Sequence, residues 1–153
     1  MSYDPHWTSY LSALLTPTVA VLGSVITYRQ WRTAQNKLKL DLFDRRFSVY
    51  DAARNLLAAI MTSGKAKDEE VFKFLFATRE AKWLLNIEVA TYLEEQLYHK
   101  AIDLQTLQAE LVSVPVGDER STNVERQAEI KKWFAAQYIV LDEKFSPFLK
   151  LQH

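Results

Sequence analysis

The sequence of 153 residues contains no cysteine and little glycine or proline. Without cysteine, the chain has no disulfide bond, no thiolate nucleophile and no cysteine-ligated zinc site. The three glycines are Gly23, Gly64 and Gly117, and the four prolines leave long intervals between them, so tight β-hairpin turns have little support. This composition predicts an all-α protein.

The chain also lacks net charge and lacks the motifs of common enzymes. Its 19 basic residues balance 19 acidic ones, so we expect no duplex nucleic-acid partner. The sequence has no glycine-rich phosphate loop, nucleophile elbow or HExxH pattern. His6, His99 and His153 are far apart in the chain, and His99 is expected to be exposed on a helix. These absences predict a protein that is not an enzyme and uses neither a metal nor a cofactor.

An uncharged stretch of 24 residues, Pro5 to Tyr28, dominates the N-terminus. A bilayer core of about 30 Å needs about 20 apolar residues in a helix, so this stretch predicts a single transmembrane helix. Basic residues follow it, which places the N-terminus outside and residues 29 to 153 in the cytoplasm of a bacterium, at its inner membrane. The predicted membrane-interface residues are Trp7, Tyr10, Tyr28, Arg29, Trp31 and Arg32.

Small residues recur at helical spacing inside the predicted span. They are Ala13, Thr16, Ala20, Ser24 and Thr27. Such a stripe lets helix backbones approach closely, which favours self-association in the membrane and hence a homo-oligomer. Two alternatives stay open: the hydroxyl groups bond to their own helix, or the segment is a buried or peripheral helix of a soluble protein.

The remainder of the chain predicts an antiparallel bundle of about four helices. We divide the chain into an anchor, 1–32, and a cytosolic helical domain, 33–153. The first helix continues from the span to Gly64, with an apolar stripe comprising Leu40, Phe43, Phe47, Tyr50, Ala53, Leu57 and Ile60. A second helix starts near Asp68, which is expected to cap it, and breaks at Asn86.

The last two predicted helices flank the loop at 113–121. The third, 87–112, has a leucine-rich seam in which Lys100 occupies one position. Thr122 and Glu125 form a capping-box pattern that predicts the start of the fourth helix, and Ser146-Pro147 predicts its end.

Cationic residues beside aromatic residues are the candidate ligand-binding residues of this chain. Arg79 stands on one helical line with Phe72, Phe76 and Trp83. Arginine beside tryptophan suits stacking on an anionic ligand, whereas internal salt bridges would explain the same residues without a ligand. The full predicted set is Arg45, Arg46, Arg54, Arg79, Lys82 and Trp83.

The patterns LKLDLFDRRFSVYDAARNLL and FLFATREAKWLLNIEVATYLEE resemble small bacterial single-pass membrane proteins with a cytosolic helical domain. That resemblance implies no function and no site residues. The predicted layout, an anchor followed by a small domain, is also similar to membrane effectors of phage-defence systems, including CRISPR effectors that respond to cyclic oligonucleotides.

We therefore expect a non-enzymatic, oligomeric membrane protein. In the first hypothesis, its cytosolic domain binds a protein or a small anionic ligand, such as a nucleotide signal, and relays that event to the lipid bilayer. In the second, the protein is a passive scaffold that localises a partner protein at the membrane.

Overall fold

The computed structural model describes the backbone of residues 7–150 and the side chains from Pro17 onward, and the regular structure in these residues is entirely helical. The helices are α1 (Trp7–Ser63), α2 (Asp68–Thr78), α3 (Ala81–Leu84), α4 (Ile87–Thr91), α5 (His99–Ser113) and α6 (Asp118–Phe145), with a π-helical segment (Tyr92–Tyr98) joining α4 to α5. The all-α prediction is confirmed for this part of the chain.

The chain divides into two compact units, Met1–Asp41 and Leu42–His153. Helix α1 passes through both, since no glycine or proline interrupts it between Ser24 and Ser63. In the N-terminal unit, every described side chain from Pro17 to Asp41 is exposed.

The predicted transmembrane helix is wrong. Among the residues that the structure describes, no helix is long and apolar enough to cross a membrane. Pro5 and His6 lie outside the described residues. Four of the residues from Pro17 to Tyr28 carry hydroxyl groups, which makes this part of the helix less apolar than a span requires; they are Thr18, Ser24, Thr27 and Tyr28.

The structure gives a different environment for the residues that were predicted to lie in or beside the membrane. The side chains of Trp7, Tyr10, Ala13 and Thr16 lie outside the described part. Ser24 donates a hydrogen bond to the Ala20 carbonyl at 2.9 Å, and Thr27 donates to the Gly23 carbonyl at 2.8 Å. Tyr28, Arg29, Trp31 and Arg32 are exposed. The hydroxyl groups of Ser24 and Thr27 thus bond to their own helix, as one alternative predicted.

The C-terminal unit is a helical bundle around the second half of α1. Ala53, Leu57 and Ile60 of the predicted stripe are fully buried, but the stripe begins later than expected, because Leu40 and Phe47 are exposed. The core residues from the other helices are Val71, Phe74, Ala81, Val89, Tyr92, Leu93, Leu97, Ala101, Leu104, Phe134, Leu141 and Phe145. Helix α1 ends before Gly64, whose φ of 68° is left-handed, and this confirms the predicted stop.

Two predicted helix starts differ from the structure. Asp68 does not cap α2, and its carboxylate instead accepts a hydrogen bond from Gln105 at 2.9 Å. Helix α6 begins at Asp118, so Thr122 lies inside the helix, where its hydroxyl donates to the Asp118 carbonyl at 3.0 Å. The capping box is therefore absent, because the helix starts one turn earlier than that pattern requires.

The break at Asn86 and the end of the last helix are confirmed, but the predicted second helix is interrupted before Asn86, because α2 ends at Thr78 and a separate short helix, α3, follows at Ala81–Leu84. The Asn86 side chain accepts a hydrogen bond from the Val89 amide at 2.9 Å and caps α4, so the chain does break there. Helix α6 ends at Phe145, directly before Ser146-Pro147. Lys100 is not a buried charge, because its side chain is 43% exposed and its Nζ lies 3.9 Å from Asp103.

Candidate functional site

A groove with a volume of about 440 Å³ lies between α2 and the α4–π-helical stretch of the C-terminal unit. We call it the aromatic groove. Its lining residues are Phe72, Phe74, Leu75, Phe76, Thr78, Arg79, Lys82, Ala90, Leu93, Glu94 and Tyr98. Most of its surface is apolar, and its charged side chains come from different elements: Lys82 from α3, Glu94 from the π-helical segment and Arg79 from the turn between α2 and α3. That composition is typical of a binding site.

Helical periodicity explains why α2 presents aromatic rings outward. Val71 and Phe74 are buried in the core and fix the rotation of the helix. With those two residues inside, Phe72 and Phe76, four residues apart, fall on the exposed side, and their ring centroids are 6.1 Å apart. The core contacts of α2 thus hold two phenylalanine rings at the groove.

Three aromatic residues at this surface are far more exposed than is usual for their type. The exposed fractions are 65% for Phe72, 68% for Phe76 and 79% for Trp83. A second depression, lined in part by Phe76, Arg79, Lys82 and Trp83, adjoins the aromatic groove and shares three of these residues with it. The two depressions therefore form one continuous surface over α2 and α3, in which exposed aromatic rings lie beside charged side chains.

The charged side chains at this surface differ in whether they have a partner. Arg79 has no hydrogen bond or ion pair with any residue that the structure describes. The Lys82 ammonium lies 5.1 Å from the centroid of the Trp83 ring, where it makes a cation–π contact. Glu80 lies 4.0 Å from Arg45. Arg79 is thus the cation that remains available to a negatively charged group.

The π-helical segment forms the other wall of the groove and divides its side chains between two roles. Glu94 and Tyr98 line the groove, Tyr92 and Leu97 fill the core, and Leu93 is a core residue, 1% exposed, that also forms part of the groove floor. The Tyr92 hydroxyl donates to the Gln137 side-chain oxygen at 3.0 Å, and burial raises the pKa of Tyr92, so its phenol is neutral at physiological pH. Segments of π-helix often mark functional sites.

Of the six predicted ligand-binding residues, the structure brings Arg79, Lys82 and Trp83 together. Arg46 instead supports the fold: its Nε donates to the Leu84 carbonyl at 2.8 Å, and its guanidinium lies 5.8 Å from the Phe148 ring centroid. Arg45 lies beside Glu80, and Arg54 is exposed on α1 and does not line the groove.

Sequence reasoning missed the wall that the π-helical segment contributes. Glu94 and Tyr98 carry no pattern that singles them out, because a π-helical turn changes which residues share a face without a sequence signal of its own. The line of Phe72, Phe76, Arg79 and Trp83 was the available signal, and the structure places those residues at the surface.

In the part of the chain that the structure describes, no three His, Asp or Glu residues are grouped so that they could hold a metal ion. His99 is exposed, as predicted, while His6 and His153 lie outside the described residues. Comparisons of the chain with protein-family models, with curated proteins and with solved structures found no match.

Proposed function

We propose that the C-terminal unit is a non-catalytic adaptor that binds a partner protein through the aromatic groove. The observation that carries this proposal is the cluster of Phe72, Phe76 and Trp83, each at least 65% exposed, beside Arg79, which has no partner among the residues that the structure describes. Contiguous exposed apolar surface marks interaction sites, and tryptophan and arginine are enriched among the residues that dominate binding energy.

A protein partner fits this surface better than a small ligand does. A molecule inside a groove of about 440 Å³ would leave the outer faces of Phe72 and Trp83 in water, whereas a protein surface would cover both depressions. Stacking of a nucleotide on Trp83 would compete with Lys82, which already lies over that ring at 5.1 Å.

The charges of the groove indicate the chemistry of the partner. An amphipathic helix with apolar residues on one face would fill the space between Phe76 and Leu93. A carboxylate on that helix would pair with Arg79, whose guanidinium forms strong bidentate bonds with carboxylates. Glu94 would repel further acidic groups near the opposite wall. The expected partner therefore presents an apolar helix face with an acidic residue beside it.

Photo-crosslinking tests this proposal with a matched control. Phe76 and Ile139 are both 68% exposed in the same unit, but only Phe76 lies at the groove. We expect benzoylphenylalanine at position 76 of the full chain to give one discrete protein adduct in cells, and the same residue at position 139 not to give it. The substitution Arg79→Glu is expected to abolish that adduct.

Identical adduct patterns from positions 76 and 139 would overturn the proposal. So would an adduct at position 76 that persists unchanged in Arg79→Glu, because the proposed partner needs that cation. Circular dichroism of each variant would establish that the helices are retained.

A further inference from the structure

The N-terminal segment, residues 17–40 of α1, combines exposed apolar side chains with a concentrated positive charge. Val21, Leu22, Val25 and Ile26 have exposed fractions between 48% and 63%. A helix that exposes this much apolar surface is expected to bind another molecule or a membrane through it.

The charge of the segment has one sign. Four of the 19 basic residues of the chain lie here and none of the 19 acidic ones; the four are Arg29, Arg32, Lys37 and Lys39. Because the whole chain is neutral, this segment is its local positive region. A second copy of the same segment would place like charges against each other, whereas an anionic surface would complement them.

Apolar and basic residues also share one face of the helix. Val21, Val25, Arg29 and Arg32 follow one another at steps of four, four and three residues, which places them in line. The apolar part thus leads directly into the basic part along the same side, and an arginine stem can lie on apolar surface while its head stays in a polar layer.

The hydroxyl groups of Ser24 and Thr27, in the apolar part of the segment, already have hydrogen-bond acceptors in their own helix. Ser24 and Thr27 donate to the carbonyls of Ala20 and Gly23 in the same helix. Their hydroxyl groups therefore lose little hydrogen bonding when this part of the helix leaves water. Tyr28 and Trp31 lie where the apolar part meets the basic part, and their ring centroids are 6.2 Å apart.

From these observations we infer that the N-terminal segment binds the surface of a bilayer containing anionic lipid and lies along the headgroup layer without crossing the membrane. The apolar side chains of residues 21–26 enter the boundary of the hydrocarbon, and the four basic residues pair with lipid phosphates. This inference stands independently of the aromatic groove, which belongs to the other unit.

Vesicle flotation of the full chain tests the inference. The probes are vesicles of phosphatidylcholine alone and vesicles with about one third phosphatidylglycerol. We expect the protein to float with the anionic vesicles and to bind neutral ones at least 10-fold more weakly. Raising the salt concentration to about 0.5 M is expected to weaken binding to the anionic vesicles, because dissolved ions screen the attraction between the basic side chains and the lipid phosphates.

Two variants with equal loss of charge make the test specific. The first changes Arg29, Arg32, Lys37 and Lys39 to Gln and is expected to weaken binding by about 100-fold or more, since each basic residue near an anionic surface contributes about fivefold. The second changes four exposed lysines of the C-terminal unit to Gln and is expected to bind as the unmodified protein does; these are Lys65, Lys67, Lys132 and Lys150.

A further variant tests the apolar contribution. Leu22→Ser with Ile26→Ser is expected to weaken flotation at least 10-fold, while Ile139→Ser leaves it unchanged. Equal affinity for neutral and anionic vesicles, or equal loss in the two Gln variants, would overturn the inference. Binding that survives extraction at pH 11 would contradict a surface location. If the protein self-associates without lipid, and the two serine substitutions abolish that association, then a second copy of the chain covers this segment and the inference is wrong.

Discussion

Comparing the stability of Arg46→Met with that of Arg79→Met tests whether Arg46 stabilises the fold while Arg79 does not. The change removes the hydrogen bond from Nε to the Leu84 carbonyl at 2.8 Å, a weaker contact to the Phe148 carbonyl at 3.5 Å and the cation–π contact with the Phe148 ring. The methionine stem keeps most of the packing. A hydrogen bond to a charged group contributes about 1.5–3 kcal/mol, and a surface cation–π contact adds about 0.5–1 kcal/mol.

Because Arg46 is half-buried, we take the lower part of that range and expect a loss of about 2 kcal/mol in the free energy of unfolding. For a unit of this size, the loss corresponds to a fall in Tm of roughly 8 °C. The control is Arg79→Met, which removes an exposed arginine with no partner among the described residues and is expected to cost under about 0.5 kcal/mol.

Urea titration followed by circular dichroism gives both values from the shift of the midpoint at an unchanged slope. Equal midpoints for the two variants would refute the structural role of Arg46. A loss for Arg79→Met as large as that for Arg46→Met would refute the assignment of Arg79 as an available cation.

Two other predictions concern buried and surface polar pairs. Tyr92→Phe removes the donor to the Gln137 side-chain oxygen, and leaving that buried acceptor unpaired is expected to cost about 1–2 kcal/mol in urea titration. The Lys144 ammonium donates to Glu88 at 2.7 Å and lowers the pKa of Glu88 below 4.5, so this pair stabilises the fold above that pH and ceases to do so as the pH falls through the lowered pKa. Glu88→Gln is therefore expected to reduce the urea midpoint at pH 7 but not at about pH 2, whereas Glu143→Gln, an exposed control, changes neither.

Unchanged stability of Tyr92→Phe would mean that water or another donor satisfies Gln137. A midpoint difference between Glu88→Gln and the unmodified protein that is constant from pH 7 to about pH 2 would contradict the ion pair as its source.

The helices of the C-terminal unit were predictable because their boundaries depend on local chemistry. Gly64 ends α1 through its left-handed backbone, and Asn86 caps α4 with its own side chain. The period of three and four residues placed Leu93, Leu97 and Leu104 in the core. In such segments, local signals and tertiary packing agree.

The errors came from residues whose environment depends on the whole fold. The pattern of α2 allows either Phe74 or Phe76 to face inward, and only contact with the other helices decides that Phe74 is buried. Lys100 occupies a position in the leucine seam, yet its side chain reaches the surface beside Asp103. The uncharged N-terminal stretch predicted a span, but hydroxyl groups such as those of Ser24 and Thr27 lower its apolar character, and no helix of the described residues is long and apolar enough to cross a membrane.

The affinity of the crosslinked partner for two matched variants tests the central claim most directly. Phe76→Ser and Ile139→Ser each remove a side chain that is 68% exposed, and calorimetric titration with the purified partner compares them with the unmodified protein. Since truncation of a central aromatic residue costs about 2–4 kcal/mol, we predict that Phe76→Ser weakens binding by about 30- to 1,000-fold, while Ile139→Ser changes it by less than about twofold. Equal affinity of the two variants would contradict the assignment of the aromatic groove as the binding site.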